Sequence, residues 1–157
     1  MLQGRGFDAK EVSGYKGFDG KSFDLFAMDK AIVPVNISDV HWVLCVIFLR
    51  TKTIECYDSL GVGRGYDIAK HLRDFIKDEL KTKKNTDLVE SEWTLKCTQA
   101  DTPQQDNGND CGVFTCIAAD YIAADEPLCY SQFDMTHFRE RIAFCLLRAS
   151  LQHESRV

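Results

Sequence analysis

The chain has 157 residues, 45% of them hydrophobic, and a formal net charge of −5 at pH 7. This length supports one core, so we predict a single domain over residues 1–157. We expect no cofactor and no metal. The acidic balance argues against a nucleic acid partner, and the absence of an apolar run of about 18 residues argues against membrane insertion.

The predicted elements begin after a glycine-rich stretch, residues 1–21, which we expect to be a loosely ordered N-terminal segment. Three apolar runs then predict strands over residues 31–37, 42–49 and 53–57, with a hairpin turn between the last two. The run from residue 42 is apolar on both faces. Such a pattern is typical of a central strand that is covered by helices on each side.

Helical patterns dominate the rest of the chain. Apolar residues recur at helical spacing over residues 67–80, which predicts an amphipathic surface helix. Residues 93–97 alternate like a short strand, residues 113–123 predict a helix directly after Cys111, and Asp134 is placed to cap a last helix. The apolar stripe of that last helix comprises Phe138, Ile142, Cys145, Leu146 and Ala149. Strands followed by helices that pack around them indicate an α+β domain.

The sequence contains seven cysteines. Their odd number, without a C-x-x-C pair or a matching histidine spacing, argues against a disulfide framework and a zinc site, so we interpret them as reduced thiols. Cysteine is among the most buried residue types, and six of the seven are expected in the core. These six are Cys45, Cys56, Cys97, Cys116, Cys129 and Cys145.

Cys111 differs from the other six because it stands at the start of a predicted helix. Backbone N–H groups and the positive end of the helix dipole favour a thiolate there. His41, at the head of the second strand, would pair with that thiolate and later protonate the leaving group, and Asp58, after the third strand, would orient the imidazole. For Asp110 we expect helix capping, with its carboxylate turned away from Cys111, since a negative charge facing the thiol would oppose the thiolate.

Gln105 lies six residues before Cys111. If the intervening loop folds back over the helix start, its side-chain amide and the backbone N–H of Cys111 would together donate to a developing oxyanion. His41, Asp58, Gln105 and Cys111 therefore form the candidate catalytic set.

Sequence blocks along nearly the whole chain resemble the Ulp/SENP cysteine proteases, which process precursors of SUMO, a ubiquitin-like modifier, and remove it from conjugates. The most specific blocks are His41-Trp42-Val43-Leu44, Tyr57-Asp58-Ser59-Leu60-Gly61 and the segment from Pro103-Gln104-Gln105 to Cys111-Gly112. The resemblance implies a papain-like (adenain-like) α+β fold with a central mixed sheet flanked by helices. It also implies SUMO and its conjugates as partners, a monomeric enzyme and an intracellular, mainly nuclear, location. By the same resemblance, Trp42 would cover the Gly-Gly tail of the modifier in a narrow tunnel.

Three alternatives remain open. A deneddylase of the same fold is the nearest, although the blocks around Gln105 and Cys111 look closer to SUMO proteases. Some acetyltransferase effectors share the fold and a His-acid-Cys triad, but the block around Gln105 and the His41-Trp42 pair speak against them. The third alternative is a fragment that binds SUMO without efficient cleavage. Family catalytic domains carry an upstream helical segment with a Trp-Leu-Asn-Asp-like motif that this sequence lacks, so we expect weakened modifier binding.

Overall fold

The structure of the chain is a computed structural model that describes residues 24–61, 63–97 and 102–154. The N-terminal segment 1–21, which we expected to be loosely ordered, lies outside the described residues. The described strands and helices are, in chain order, β1 (Lys30–Ile37), β2 (His41–Phe48), β3 (Thr53–Tyr57), α1 (Gly65–Glu79), β4 (Thr94–Lys96), α2 (Cys111–Ala123) and α3 (Met135–Glu154). Each predicted strand and helix corresponds to one of these elements.

The four strands form one mixed sheet in the order β1-β2-β3-β4. The first three are antiparallel neighbours joined by short turns, whereas β4 pairs parallel to β3 and is reached through α1. In the turn before β2, Ser38 and Asp39 both adopt the left-handed backbone region, with φ of 55° and 60°. Two successive residues of this kind permit a tight reversal, after which His41 pairs with Ile37. The predicted α+β class with a mixed sheet is confirmed.

Helices cover both faces of β2. Val43, Cys45 and Ile47 point to one face and pack in a buried cluster with residues of α1. Leu44 and Val46 point to the other face and pack against residues of α2. The prediction of a central strand that is buried on both faces is therefore confirmed. This packing fixes the strand that carries His41 at its first residue.

Asp134, which we predicted to cap the last helix, directly precedes its first residue, Met135. Its carboxylate forms a capping box with Ser131, the N-cap of the 3₁₀ turn that leads into α3, and accepts from the Ser131 backbone N–H at 2.8 Å. The predicted apolar stripe is buried at Phe138 and half-buried at Ile142, but its remaining members are exposed in the described part of the chain. These exposed members are Cys145, Leu146 and Ala149. They are exposed because the described elements cover only the first half of α3.

The cysteine predictions need correction. Cys45 and Cys56 are opposed across β2 and β3, with Cα atoms 4.2 Å apart, and are joined by a disulfide. The prediction of reduced thiols is therefore wrong for these two, since sheet register rather than sequence spacing brought them together. Cys97 is half-buried, and burial raises the pKa of its thiol. The core prediction is wrong for the three remaining cysteines, Cys116, Cys129 and Cys145, which are exposed.

Candidate active site

His41 and Asp58 meet because one begins β2 and the other directly follows β3, the antiparallel neighbour of β2. His41 Nε2 lies 2.7 Å from Asp58 Oδ1. A carboxylate can only accept, so Nε2 is the protonated ring nitrogen and donates this hydrogen bond. Both side chains are buried, and Asp58 has only 1% of its surface exposed. Such a charge-assisted bond, shielded from water, holds the imidazole in one orientation.

The other ring nitrogen, His41 Nδ1, is buried and has no hydrogen-bond partner among the described residues. With the proton on Nε2, this nitrogen is an acceptor. The carboxylate of Asp58 is itself fixed, because its Oδ1 also accepts from the backbone N–H of Leu60 at 3.0 Å. The pair is therefore arranged to take a proton from a group that approaches Nδ1.

Cys111 is the first residue of α2 and is buried. The N–H groups of a first helical turn have no partner within the helix, and the positive end of the helix dipole lies there. Trp42, which follows His41, reaches this turn: a Cβ built on Gly112 would lie 3.6 Å from Trp42 Cδ1. The start of β2, which carries the predicted base, therefore lies near the start of α2, which carries the predicted nucleophile.

Trp42 is 41% exposed, whereas the next five residues of β2 are buried. Trp42 is therefore not an ordinary core aromatic, which would be covered on all sides. A large indole that is partly open to solvent and lies against a glycine can cover a thin ligand.

Gln105 is buried and held at both ends of its side-chain amide. Ser59 Oγ donates to Gln105 Oε1 at 2.6 Å, and Gln105 Nε2 donates to the carbonyl of Asn107 at 2.6 Å. The backbone N–H of Gln105 also donates to the carbonyl of Ser59 at 2.9 Å. These bonds fix which end of the amide is the donor. Its second N–H has no acceptor among the described residues, so this group could serve a ligand.

Asp110 occupies the N-cap position of α2, but its side chain makes no capping bond, so the expected helix capping by its carboxylate is wrong. The expectation that its charge is directed away from the helix start fits its partners. Asn107 Nδ2 and Gln132 Nε2 each donate to Asp110 Oδ2 at 2.7 Å, and Arg139 Nε donates to Oδ1 at 3.0 Å. These donors, led by Asn107 and Arg139, lower the pKa of Asp110 to about 2.

Sequence reasoning did not single out three of these polar residues: Ser59, Gln132 and Arg139. Ser59 stands next to Asp58, and its proximity to Gln105 depends on how the loop returns to the sheet. Arg139 follows the buried Phe138 on α3, so a helical wheel places it at the margin of the packed face. The spacing of residues in the sequence does not reveal that Arg139 pairs with Asp110.

The site can perform nucleophilic chemistry on a carbonyl. It combines a cysteine at a helix start, an imidazole with one nitrogen free to accept a proton, and an oriented amide. Among the described residues no group of three or more His, Cys, Asp and Glu side chains could hold a metal ion.

Comparisons with known proteins agree with this chemistry. Residues 5–151 match the sequence profile of the Ulp1 protease family, C-terminal catalytic domain. Over 132 residues the chain is 41% identical to human sentrin-specific protease 2, a match that covers 83% of this chain and 22% of that protein. Over 143 residues it is 33% identical to ubiquitin-like-specific protease 1 of Saccharomyces cerevisiae, again covering 22% of the relative.

A solved structure gives a similar result. The C-terminal Ulp1 protease domain, in complex with Smt3, the yeast ortholog of SUMO, superposes with a TM-score of 0.68 at 32% identity. The match covers 79% of this chain and 54% of that one. The chain thus spans about a fifth of the length of these two curated relatives and about half of the solved domain.

Proposed function

We propose, on the premise that this chain belongs to the Ulp1 protease family, that it is a cysteine protease that cleaves after the C-terminal Gly-Gly of SUMO. It acts on precursors as an endopeptidase and on conjugates as an isopeptidase. The observation that carries the proposal is the buried, hydrogen-bonded His41–Asp58 pair, next to Trp42, which lies against the first turn of the helix that begins with Cys111. The similarity to proteases whose names and complex specify sentrin and SUMO supports the substrate.

The reaction begins with a proton transfer from the Cys111 thiol to His41 Nδ1. The thiolate attacks the carbonyl of the last glycine and forms a tetrahedral intermediate, and the imidazolium then gives its proton to the leaving amine. Water, activated by the same nitrogen, hydrolyses the resulting thioester and frees the thiol. Asp58 holds the imidazole and stabilises its charged form throughout.

Gln105 and the backbone of Cys111 stabilise the intermediate. The free N–H of the Gln105 amide and the N–H of the first helical residue donate to the oxyanion. Because Ser59 and Asn107 hold that amide in advance, little reorganisation is needed when the charge develops.

Trp42 supplies selectivity for glycine. Its partly exposed indole lies against Gly112 and covers the substrate tail beside the nucleophile. A backbone without side chains fits under such a cover, whereas an added methyl would displace the scissile carbonyl, and a displacement of about 1 Å can cost roughly 10²-fold in rate.

We propose that the enzyme acts inside the cell, mainly in the nucleus, as its family resemblance suggests. In the described residues no helix is long and apolar enough to cross a membrane. Cell fractionation with an antibody to the native protein tests the location, and an exclusively cytoplasmic signal would contradict the nuclear part.

A panel of electrophilic probes tests the function. The purified protein is incubated separately with SUMO, Nedd-type and ubiquitin probes that carry a thiol-reactive group at the C-terminal glycine. We expect a covalent adduct with SUMO that Cys111→Ala abolishes. Cys116→Ala is the matched control, since Cys116 lies exposed on the same helix and should leave the adduct unchanged.

The panel also separates the alternatives. A Nedd-type adduct without a SUMO adduct would make the protein a deneddylase. In an added incubation with acetyl-CoA, acetylation of Cys111 would indicate an acyltransferase. SUMO binding without an adduct would identify a binding fragment.

A further inference from the structure

The carboxylate of Asp110 is a buried negative charge one residue before the proposed nucleophile. Three side chains donate to it: Asn107 from its own loop, and Gln132 and Arg139 from the segment that begins α3. The ordinary pKa of an aspartate, 3.8, falls to about 2 in this setting. Asp110 is therefore ionised at neutral pH.

A permanent negative charge at this point opposes the formation of a thiolate at Cys111. Arg139 supplies the opposite charge. Its Nε and Nη2 both donate to Asp110 Oδ1, and Nη2 also donates to the carbonyl of Asn109 at 2.9 Å. A neighbouring cation offsets the field of a carboxylate, and two guanidinium N–H groups that converge on one carboxylate oxygen hold that oxygen in place.

The backbone of Arg139 lies in a part of α3 that is packed firmly against α2. Met135 and Phe138 of α3 are buried against Val113 and Phe114 of α2, which is the helix that begins with Cys111. The guanidinium therefore keeps its place relative to the nucleophile. Gln132, which precedes α3, also links this segment to the loop, because its Oε1 accepts from the Asp106 backbone N–H at 3.1 Å.

We propose that Arg139 is a positioning residue for Cys111: it holds the Asp110 carboxylate away from the thiol and cancels its charge, so that the thiolate–imidazolium pair can form at neutral pH. This inference rests on the proposed function, in which Cys111 is the nucleophile. The charged and titratable side chains on the elements that meet at the site include His41 on β2, Asp58 after β3, Asp106 and Asp110 in the loop, and Arg139 on α3. The same elements also carry Glu55 and Tyr57 on β3, Cys116, Asp120 and Tyr121 on α2, and His137, Glu140 and Arg141 on the first half of α3, of which Glu55 pairs with Lys96 and Asp120 with Arg141.

The test measures the pH profile of Cys111 alkylation by iodoacetamide, followed by mass spectrometry of the Cys111 peptide so that other thiols do not contribute. Arg139→Gln should move the midpoint of the profile to higher pH by roughly 0.5–1 unit, because the charge of Asp110 is then uncompensated. It should also lower kcat/KM on a SUMO precursor about tenfold at neutral pH, mainly through kcat.

Two further variants separate charge from packing. Arg139→Lys keeps the cation and should return the midpoint close to that of the wild type. Arg139→Gln combined with Asp110→Asn removes both charges and should do the same. Arg141→Gln is the matched control, since Arg141 lies on the same helix but pairs with the exposed Asp120, and its midpoint should not move.

The outcomes are distinct. An unchanged midpoint in Arg139→Gln, with only a lower melting temperature, would overturn the proposal and leave Arg139 as a structural clamp. If Arg139→Gln does not fold, Asp110→Asn decides: its midpoint should lie at or below that of the wild type, and a rise would overturn the proposal. If the wild type does not cleave SUMO but the alkylation profiles shift as expected, the proposed function fails while the role of Arg139 stands.

Discussion

The two sides of the candidate active site are stabilised by different forces. His41 and Asp58 belong to the sheet side, which we define as β2 and β3 with the residue that follows each; Leu44, Val46 and Ile47 there are almost fully buried. Gln105 and Asp110 belong to the loop side, residues 102–110. Hydrogen bonds and the Asp110–Arg139 ion pair hold these two side chains in place. Packing thus fixes the proposed base and acid, whereas polar contacts fix the approach to the proposed nucleophile. The sheet side should respond to lost volume, and the loop side to lost charge and donors.

The largest effect should come from Asp58→Asn, which keeps the shape of the sheet side but removes the carboxylate. We expect kcat to fall by about 10³–10⁴-fold, because an amide no longer enforces the tautomer or stabilises the imidazolium. Single-turnover cleavage of a SUMO precursor measures this. Asp39→Asn is the control, since Asp39 is an exposed carboxylate in the turn before His41. A loss of less than tenfold in Asp58→Asn would remove Asp58 from the triad.

Gln105→Ala should lower kcat by about 10²–10³-fold with little change in KM, the usual cost of one oxyanion donor. Gln104→Ala is the matched control. Gln104 is an exposed glutamine in the same loop, and its amide donates to the carbonyl oxygens of Asp58 and Thr102. Steady-state kinetics on both variants would show whether Gln105 takes part in catalysis or only maintains the shape of the loop side. Equal rates for the two variants would argue for shape alone.

Leu44→Ala probes the packing of the sheet side. Leu44 lies on β2 and is fully buried against α2. The cavity that the substitution leaves should lower the free energy of unfolding by about 2–4 kcal/mol. Leu147→Ala is the same substitution at a side chain that is 64% exposed on α3, and it should cost less than about 0.5 kcal/mol. Urea unfolding measures both. Similar losses would mean that the second half of α3 is packed in solution.

The smallest effect concerns pH and the loop side. The pKa of Asp110 is lowered to about 2 in the folded protein, so its ionisation stabilises the fold above about pH 4, and this contribution is lost as the pH falls from about 4 to 2. Allowing for the half-exposed Arg139, we expect about 1–2 kcal/mol. Asp110→Asn should lack this part of the acid sensitivity.

Urea unfolding at neutral pH and at roughly pH 3 tests this point. Asp120→Asn is the control, since Asp120 pairs with Arg141 on the surface. An acid response of Asp110→Asn equal to that of the wild type would show that the Asp110–Arg139 pair does not stabilise the fold.

The sequence predicted the sheet side well, because hydrophobic periodicity reports directly on burial. The double-faced apolar run of β2 and the placement of His41 and Asp58 at strand ends were both readable without structure. The loop side was predicted only in part. Cys111 and Gln105 stood out, but the contacts of Ser59 with Gln105 and of Arg139 with Asp110 join residues far apart in the chain and follow no period.

The remaining errors have the same origin. The opposition of Cys45 and Cys56 depends on the register of two strands, which residue counting does not reveal. The stripe of α3 followed helical spacing correctly, yet whether a neighbouring element covers it is a tertiary property. Local pattern thus predicts which face of an element is apolar but not what lies against that face.

The topology of the sheet has a consequence for the order in which the site assembles during folding. The β1–β2–β3 meander is built from neighbouring segments, whereas Cys111 joins only after the crossover through α1 to β4. Contacts between near neighbours in the chain form faster, because they close shorter loops. We expect amide protection in β2 and β3 to precede protection in the first turn of α2 during refolding, which pulsed hydrogen exchange would detect; simultaneous protection would contradict this order. A newly made chain would then form its His41–Asp58 pair before Cys111 is in place, and the proposed protease site would be complete only after β4 had joined the sheet.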